Sequence, residues 1–388
     1  TRTSTATYVD EDGLVKSVAT DTPRFEHNPS TGESLGLLIE DSRTNLITYS
    51  EQFDNAAWTK TNVGVTTNTS ATTAPDGSTN AEEIVPTTVG SQLRPVSQSY
   101  TISTAQAYTF SIFVKKHTLN SNFLAIRISN NTATADIFSN FNFSTETFGG
   151  AFTTAGWTGN TSVQKLSNDW YRLSITANTV ASTHTILVAG VWGGGYQGTT
   201  ETIGNYLIWG AQLEVGAFPT SYIPTVASTV TRSADNASMT GTNFSSWYNP
   251  NEGTMFAQAS PSTSAPYTGY LYTIGSDFNN SIQTYRQIDY QPVVRIRSSG
   301  SDVYGALGFG ATWTTNTARK IGLTFKTNSF NSAVSGTVSS DVTSGTLPSY
   351  SGLSIGSLSN TYHLNGTISQ LLYYPVRLPN AQLQTLTK

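Results

Sequence analysis

Residues 204–225, GNYLIWGAQLEVGAFPTSYIPT, constrain the fold more than any other stretch, because a complete β-strand runs straight into an extended segment punctuated by prolines. Tyr206, Ile208 and Gly210 alternate with Leu207, Trp209 and Ala211, so both faces are apolar, as in a strand buried inside a sandwich. Pro219 and Pro224 forbid a helix and hold the chain extended. The stretch divides 388 residues into two β-rich halves, each long enough to bury a core of its own.

Those cores form without disulfides, since the chain has no cysteine and therefore no thiolate metal site. Charged residues make up 11% of the chain, against about 25% in ordinary soluble domains. Ser, Thr, Asn and Gly take the surface positions that Lys and Glu usually fill, which leaves few straight-chain helix formers. The net charge of −4, with 20 basic residues dispersed along the chain, gives no electrostatic footprint for nucleic acid or an anionic membrane. No apolar run reaches the roughly 18–20 residues of a transmembrane helix, so membrane insertion is not expected. Asn-X-Ser/Thr triplets such as Asn142-Phe143-Ser144 and Asn365-Gly366-Thr367 follow from this composition rather than from glycosylation.

The reading is all-β: two antiparallel, jelly-roll-like β-sandwiches in tandem after an extended N-terminal arm. Residues 1–45 are turn-rich, with Asp12-Gly13, Asn28-Pro29 and Thr31-Gly32 between short extended pieces and one apolar run at 35–40. This segment is either an anchoring arm for a neighbouring subunit or particle, or a leader strand that pairs with the following domain. Residues 46–216 form the first sandwich. Tyr108, Phe110, Ile112 and Val114 share a face, Leu124, Ile126 and Ile128 share another with Arg127 pointing away, and Tyr171, Leu173 and Ile175 alternate with Trp170, Arg172 and Ser174. Residues 217–232 are an extended, proline-containing linker. Residues 233–388 form the second sandwich, with strands expected at 254–257, 270–274, 293–297, 320–325, 353–355 and 367–374. Ile321, Leu323 and Phe325 face inward there, and a terminal helix starts at Pro379 with Leu383 and Leu386 on one face.

Catalytic chemistry finds no purchase. The histidines, His27, His117, His184 and His363, have no pair spaced to share a metal. No run of alternating carboxylates suits glycoside hydrolysis, and Glu82 and Glu83, adjacent on a strand, would face opposite sides. There is no G-x-S-x-G elbow and no phosphate-binding loop. The expectation is a non-enzyme without cofactor. Calcium at the acidic turns 10–13 and 76–77 is the one metal to weigh, and turn formation explains those residues better. Aromatic rings in Gly- and Thr-rich turns are the candidate binding groups: Trp157, Trp192, Tyr196, Trp313 and Tyr350, placed to stack on the apolar face of a sugar while nearby amides and hydroxyls orient it. Trp58, Trp170 and Trp209 are core residues.

Particular wording adds to this. Ala6-Thr7-Tyr8-Val9-Asp10, Pro23-Arg24-Phe25-Glu26-His27-Asn28-Pro29, Leu35-Gly36-Leu37-Leu38-Ile39-Glu40 and Arg43-Thr44-Asn45-Leu46 resemble the opening of a group of tailed-bacteriophage virion proteins. So do Tyr49-Ser50-Glu51-Gln52-Phe53-Asp54 with Trp58, and Gly210-Ala211-Gln212-Leu213-Glu214 followed by Thr220-Ser221-Tyr222-Ile223-Pro224-Thr225. The likeness spans about the first 225 residues. The remainder resembles the concanavalin A-like (laminin G-like) sandwiches joined to that module, through residues 366–374 and 378–387. The resemblance implies a carbohydrate-binding-module-like first sandwich in a fibre or adhesin on the particle exterior. Its implied partners are other virion proteins, host-surface polysaccharide and copies of itself, with a trimer as the usual assembly. Tyr8, Arg24, Phe25, Leu37 and Arg43 are the candidate particle-anchoring residues of the arm. The alternatives are a structural head-decoration or connector protein and, further off, a glycan depolymerase. Family glucanases carry catalytic carboxylates that this chain lacks, so binding rather than cleavage is implied.

Overall fold

The computed structural model describes the chain except residues 88–93, 103, 120–121, 131–135, 151, 155, 180–181, 192–203, 264–265, 276, 307–308 and 310–311. The fold is all-β, and every strand pairing among the described residues is antiparallel, as period-two patterning without helical stretches requires. A six-stranded sheet runs in the order Gly159–Lys165, Tyr171–Asn178, Ala107–Lys116, Tyr206–Val215, Glu82–Pro86, Val63–Thr66. It faces a seven-stranded sheet centred on Phe123–Asn130 and Ser182–Val191. The core between them is the one the alternation specifies: Phe110, Ile112, Leu173 and Ile175 from the first sheet meet Leu124, Ile126, Ile186 and Val188 from the second.

The second half repeats the plan. A six-stranded sheet built around Gly269–Gly275, Ser281–Arg286 and Pro292–Ser298 packs on a seven-stranded sheet containing Arg319–Lys326, Glu252–Pro261 and Gly366–Tyr374. Ile321, Leu323 and Phe325 point into this core with Leu271, Ile282 and Ile296. Gly322, expected to face outward, does so beneath the helix Asn380–Thr387, where Leu383 covers it and a Cβ would lie 2.6 Å from Leu383 Cδ1. The buried face of that helix is Leu383 with Thr387 one turn on; Leu386 is half-buried.

Two expectations are corrected. First, the strand Tyr206–Val215 does not alternate throughout: Phe113 pairs Trp209 while Ser111 pairs Gln212, so an extra residue bulges at Gly210, whose φ is +57°. Tyr206 and Ile208 enter the core, Leu207 and Trp209 face away, and beyond the bulge Ala211 returns to the core side with Leu213. Second, residues 1–45 follow the leader-strand alternative, but the partner strand lies in the second half rather than in the following sandwich. Ser34–Ile39 pairs with Gly366–Tyr374 and carries Phe25–His27 as the edge strand, so the beginning of the chain completes a sheet of its last third. Gly36 permits this crossing: its φ is +97°, and a Cβ would sit 2.3 Å from the carbonyl oxygen of Ile368. Arg43–Asn45 pairs with Val230–Arg232 and thereby ties the linker to the leader.

The linker is a packed element as well. Tyr222 packs against Phe113 and Trp209, with ring centroids 5.9 and 4.8 Å away, and these two touch each other at 5.2 Å, forming a three-ring cluster on the outer face of the first six-stranded sheet. Side chains beyond the bulge bind its backbone: Gln212 Oε1 accepts from Ile223 N at 2.7 Å, and Glu214 Oε1 accepts from Thr220 N at 2.8 Å. Asn45 Nδ2 donates to the carbonyls of Ala211 (3.1 Å) and Ile223 (2.8 Å), clamping leader, strand and linker together.

Candidate functional site

Where leader, linker and the two sheet pairs meet, buried charges converge. Arg24, 1% exposed, donates from Nη1 to Glu40 Oε2 at 2.7 Å, to the Thr7 carbonyl at 2.9 Å and to Ser221 Oγ at 2.8 Å, and from Nη2 to Asp235. Asp235 also pairs with Arg2 at 3.0 Å, and Arg232 Nη2 lies 3.5 Å from Glu40 Oε2. The amide of Ser221 donates to the other Glu40 oxygen at 2.8 Å. Burial alone would raise the Glu40 pKa, but Arg232, Arg24 and the Ser221 bonds prevail and hold its carboxyl well below the ordinary range. Both Glu40 oxygens are thus occupied.

Beside this network lies a cleft of about 610 Å³. Its floor is the outer face of Gly159–Lys165 and Tyr171–Asn178, a polar ladder in which Ser162 Oγ bonds Ser174 Oγ at 2.5 Å and Thr176 Oγ1 bonds Thr109 Oγ1 at 2.8 Å. One wall is leader, from Tyr8, Glu26, His27 and the 28–31 turn; another is linker, from Phe218 to Tyr222. The second half closes it with Ser260, Ser262, Thr315, Asn316 and Thr367. Hydroxyls and amides dominate the lining, with the Tyr8 and Phe218 rings among them. Glu26 accepts from Val9 N at 2.9 Å; burial, assisted by the nearby Glu40 charge, pushes its carboxyl up to about 8. Arg172, 8% exposed, spends Nη1 on the Thr220 carbonyl (2.7 Å) and Nη2 on Ser111 Oγ (3.0 Å), with its guanidinium 5.2 Å from the Phe113 ring centroid.

Trp157, Trp313 and Tyr350, expected to bind sugar, do not line this cleft. Trp313 is fully buried in the second core, its indole N–H donating to the Thr317 carbonyl at 2.8 Å. Trp157 is 6% exposed, packs into the first core and stacks on His184 at 5.3 Å. The expectation of exposed ring faces is therefore corrected for both: each turn folds its indole inward, because burying so large an apolar surface outweighs the polar character of its neighbours. Tyr350 is half-buried against Tyr248, 6.2 Å away. Trp192 and Tyr196 lie outside the described residues. Of the candidate anchoring residues, Tyr8 lines the cleft, Arg24 is the hub of the buried network, and Leu37 is half-buried in the leader strand. Arg43 packs over Phe218 at 5.4 Å and Phe25 alone is well exposed, at 54%. Tyr8, Arg24, Leu37 and Arg43 are thus engaged within the chain, while Phe25 remains on the surface.

The acidic turns are self-contained. Asp10 Oδ1 accepts from the amides of Asp12 and Leu14, and Asp76 Oδ1 accepts from the amide and hydroxyl of Ser78. Among the described residues no group of three or more His, Asp or Glu is placed to hold a metal. Glu82 is buried and accepts from the Phe53 amide at 2.6 Å, whereas Glu83 pairs with His117 at 2.8 Å.

The cleft is not legible in the sequence because its parts come from leader, first sheet, linker and three separate stretches of the second half. A signal was present in Arg172, Ser174 and Thr176, a polar face on a strand whose other face is core, which reads as a covered surface rather than a solvated one.

No family model matches the chain, and no curated protein matches it. Solved structures match remotely and in part. A NanB sialidase from Streptococcus pneumoniae matches at 13% identity and TM-score 0.33 over 39% of this chain and 27% of that one. The Ruminococcus gnavus IT-sialidase CBM40 bound to α2,3-sialyllactose matches at 12% and 0.33 over 39% of this chain and 93% of that one. The mouse laminin α1 chain domains LG4–5 match at 11% and 0.27 over 73% and 87%. The chain spans about a quarter of the length of the NanB chains it matches. At these scores the likenesses carry no argument about function.

Proposed function

We propose that this protein is a non-enzymatic glycan-recognition protein built on two tandem jelly-roll-like β-sandwiches and carried on the exterior of a tailed-bacteriophage virion as a fibre or adhesin. The observation that carries the binding reading is the cleft of about 610 Å³, whose hydroxyls, amides and aromatic rings are the groups that hydrogen-bond and stack on a polyhydroxylated ligand. The virion setting rests on the resemblance of the first 225 residues, whose quoted words prove to be the residues of the joint: Arg24, Glu40, Asn45, Gln212, Glu214 and Ser221. A homotrimer fits that setting.

Binding is favoured over cleavage by the state of the cleft's carboxyls. Glu26 and Glu40 both line it, but hydrolysis needs a second carboxylate free to act as base or nucleophile, and Glu40 is locked between two arginines and Ser221. The decoration reading through an N-terminal anchor is weakened by the folding of that segment into the joint. A glycan array probed with the full chain, with host-cell adsorption alongside, tests the proposal. Absence of binding to every glycan and to cells would end it, and release of reducing sugar would turn it into an enzyme.

A further inference from the structure

The cleft's charges point to a particular class of sugar. Its charged lining side chains are Glu26, His27, Glu40, Lys165 and Arg172. Glu40 is neutralised by Arg24 and Arg232, and Lys165 is paired with Glu146 outside the cleft. His27 Nδ1 is engaged with the Val9 carbonyl at 3.1 Å. Arg172 differs from its neighbours. Arg2, Arg24 and Arg232 each have a carboxylate partner, whereas Arg172, also buried, makes no ion pair among the described residues; its Nε, like those of Arg24 and Arg232, has no hydrogen-bond partner. Glu214 acts on it from a distance only, its own oxygens being occupied by Gln212 and Thr220.

A buried guanidinium without a counter-charge is costly, and its cost is relieved when an anion arrives. We infer that the cleft takes an acidic saccharide, with the carboxylate of the sugar set against Arg172 over the Ser162–Ser174–Thr176 floor. This rests on the glycan-binding reading and narrows it. Glu26 does not oppose an anion near neutrality, because its carboxyl, pushed up to about 8 by burial, is largely uncharged there. Tyr8, Asn160 and Asn316 line the same cleft and supply donors for the sugar's hydroxyls.

The test is calorimetric titration of the full chain at pH 7 with matched pairs: trigalacturonic acid against its methyl ester, and sialyllactose against lactose. The acidic member of at least one pair should bind roughly tenfold or more tightly than its neutral partner, as a charge-assisted hydrogen bond to a buried cation implies. That ratio should fall as salt rises from about 50 to about 500 mM, because screening weakens the charge contribution. Arg172→Met, checked for folding by its melting curve, should lose the discrimination; if that variant does not fold, the wild-type ratio and its salt dependence decide. Neutral sugars binding as well as or better than acidic ones would overturn the inference and leave glycan recognition standing. Failure of every sugar, on the array as in the calorimeter, would overturn both.

Discussion

Replacing Arg24 with Met keeps the apolar stem of the side chain and removes the hub of the joint. Four contacts go with the guanidinium: Glu40, Asp235, the Thr7 carbonyl and Ser221 Oγ. Breaking a buried ion pair from one side costs about 3–5 kcal/mol, because the abandoned charge stays buried. Here the survivors keep some compensation, since Arg232 remains 3.5 Å from Glu40 and Arg2 remains 3.0 Å from Asp235. The expected loss therefore lies at the low end, about 3 kcal/mol at pH 7. For a cooperative unit of 150–250 residues this lowers the midpoint by roughly 6–12 °C.

The pH dependence separates this account from simple loss of packing. The folded pKa of Glu40 is depressed, so its contribution is present above the unfolded value of about 4.3 and is lost as pH falls toward the folded value. Urea unfolding followed by tryptophan fluorescence should show a gap between wild type and Arg24→Met that is full at pH 7 and narrows below pH ~4. A loss below about 1 kcal/mol at pH 7, or a gap unchanged in acid, would refute the claim that this arginine holds the joint by charge.

Glu82 titrates the opposite way. Burial pushes it up to about 7, so its ionisation destabilises the fold increasingly from pH ~4.5 upward; Glu82→Gln should be more stable than wild type at pH 8, by about 2 kcal/mol, with the difference gone below about pH 4 in thermal melts. Gly36→Ala places a methyl group against the Ile368 carbonyl at a φ of +97°, and should cost about 1–3 kcal/mol and expose the leader to limited proteolysis. Trp313→Ala should cost about 3–5 kcal/mol in urea unfolding and act on sugar binding only through stability, as befits a core residue. Asn160→Ala, on the cleft floor, should weaken binding to an array-selected glycan several-fold while leaving the melting temperature within about 2 °C, since surface changes rarely exceed 0.5 kcal/mol.

The core was legible wherever one strand face was apolar and the other polar. Phe110, Ile112, Leu323 and Phe325 follow directly from period two, and the terminal helix follows from Pro379 at its start and the leucines spaced three apart behind it. Legibility failed at Gly210, because a bulge changes parity without changing composition, and a glycine between two apolar residues is silent about it. It failed again in residues 1–45, where the apolar run at 35–39 belongs to a sheet completed by a strand more than 300 residues away. The charges Arg24 and Glu40 could be read as surface groups or as a buried pair, and only the meeting of leader with linker decides between them. Loop tryptophans misled for a related reason: local polarity describes the neighbours of Trp157 and Trp313, whereas the destination of the indole depends on the space between sheets. The cleft, shared by leader, linker and both sheet pairs, leaves one local trace in the sequence, the polar face Arg172, Ser174 and Thr176 of a strand whose other face is core.

The most direct test of the central claim is a crystal structure of the full chain soaked with the glycan that the array selects. The account predicts sugar density over Ser162 and Ser174, bounded by Tyr8, Glu26 and Phe218 and reaching Arg172. Density on any other surface, with that cleft left holding only solvent, would contradict it.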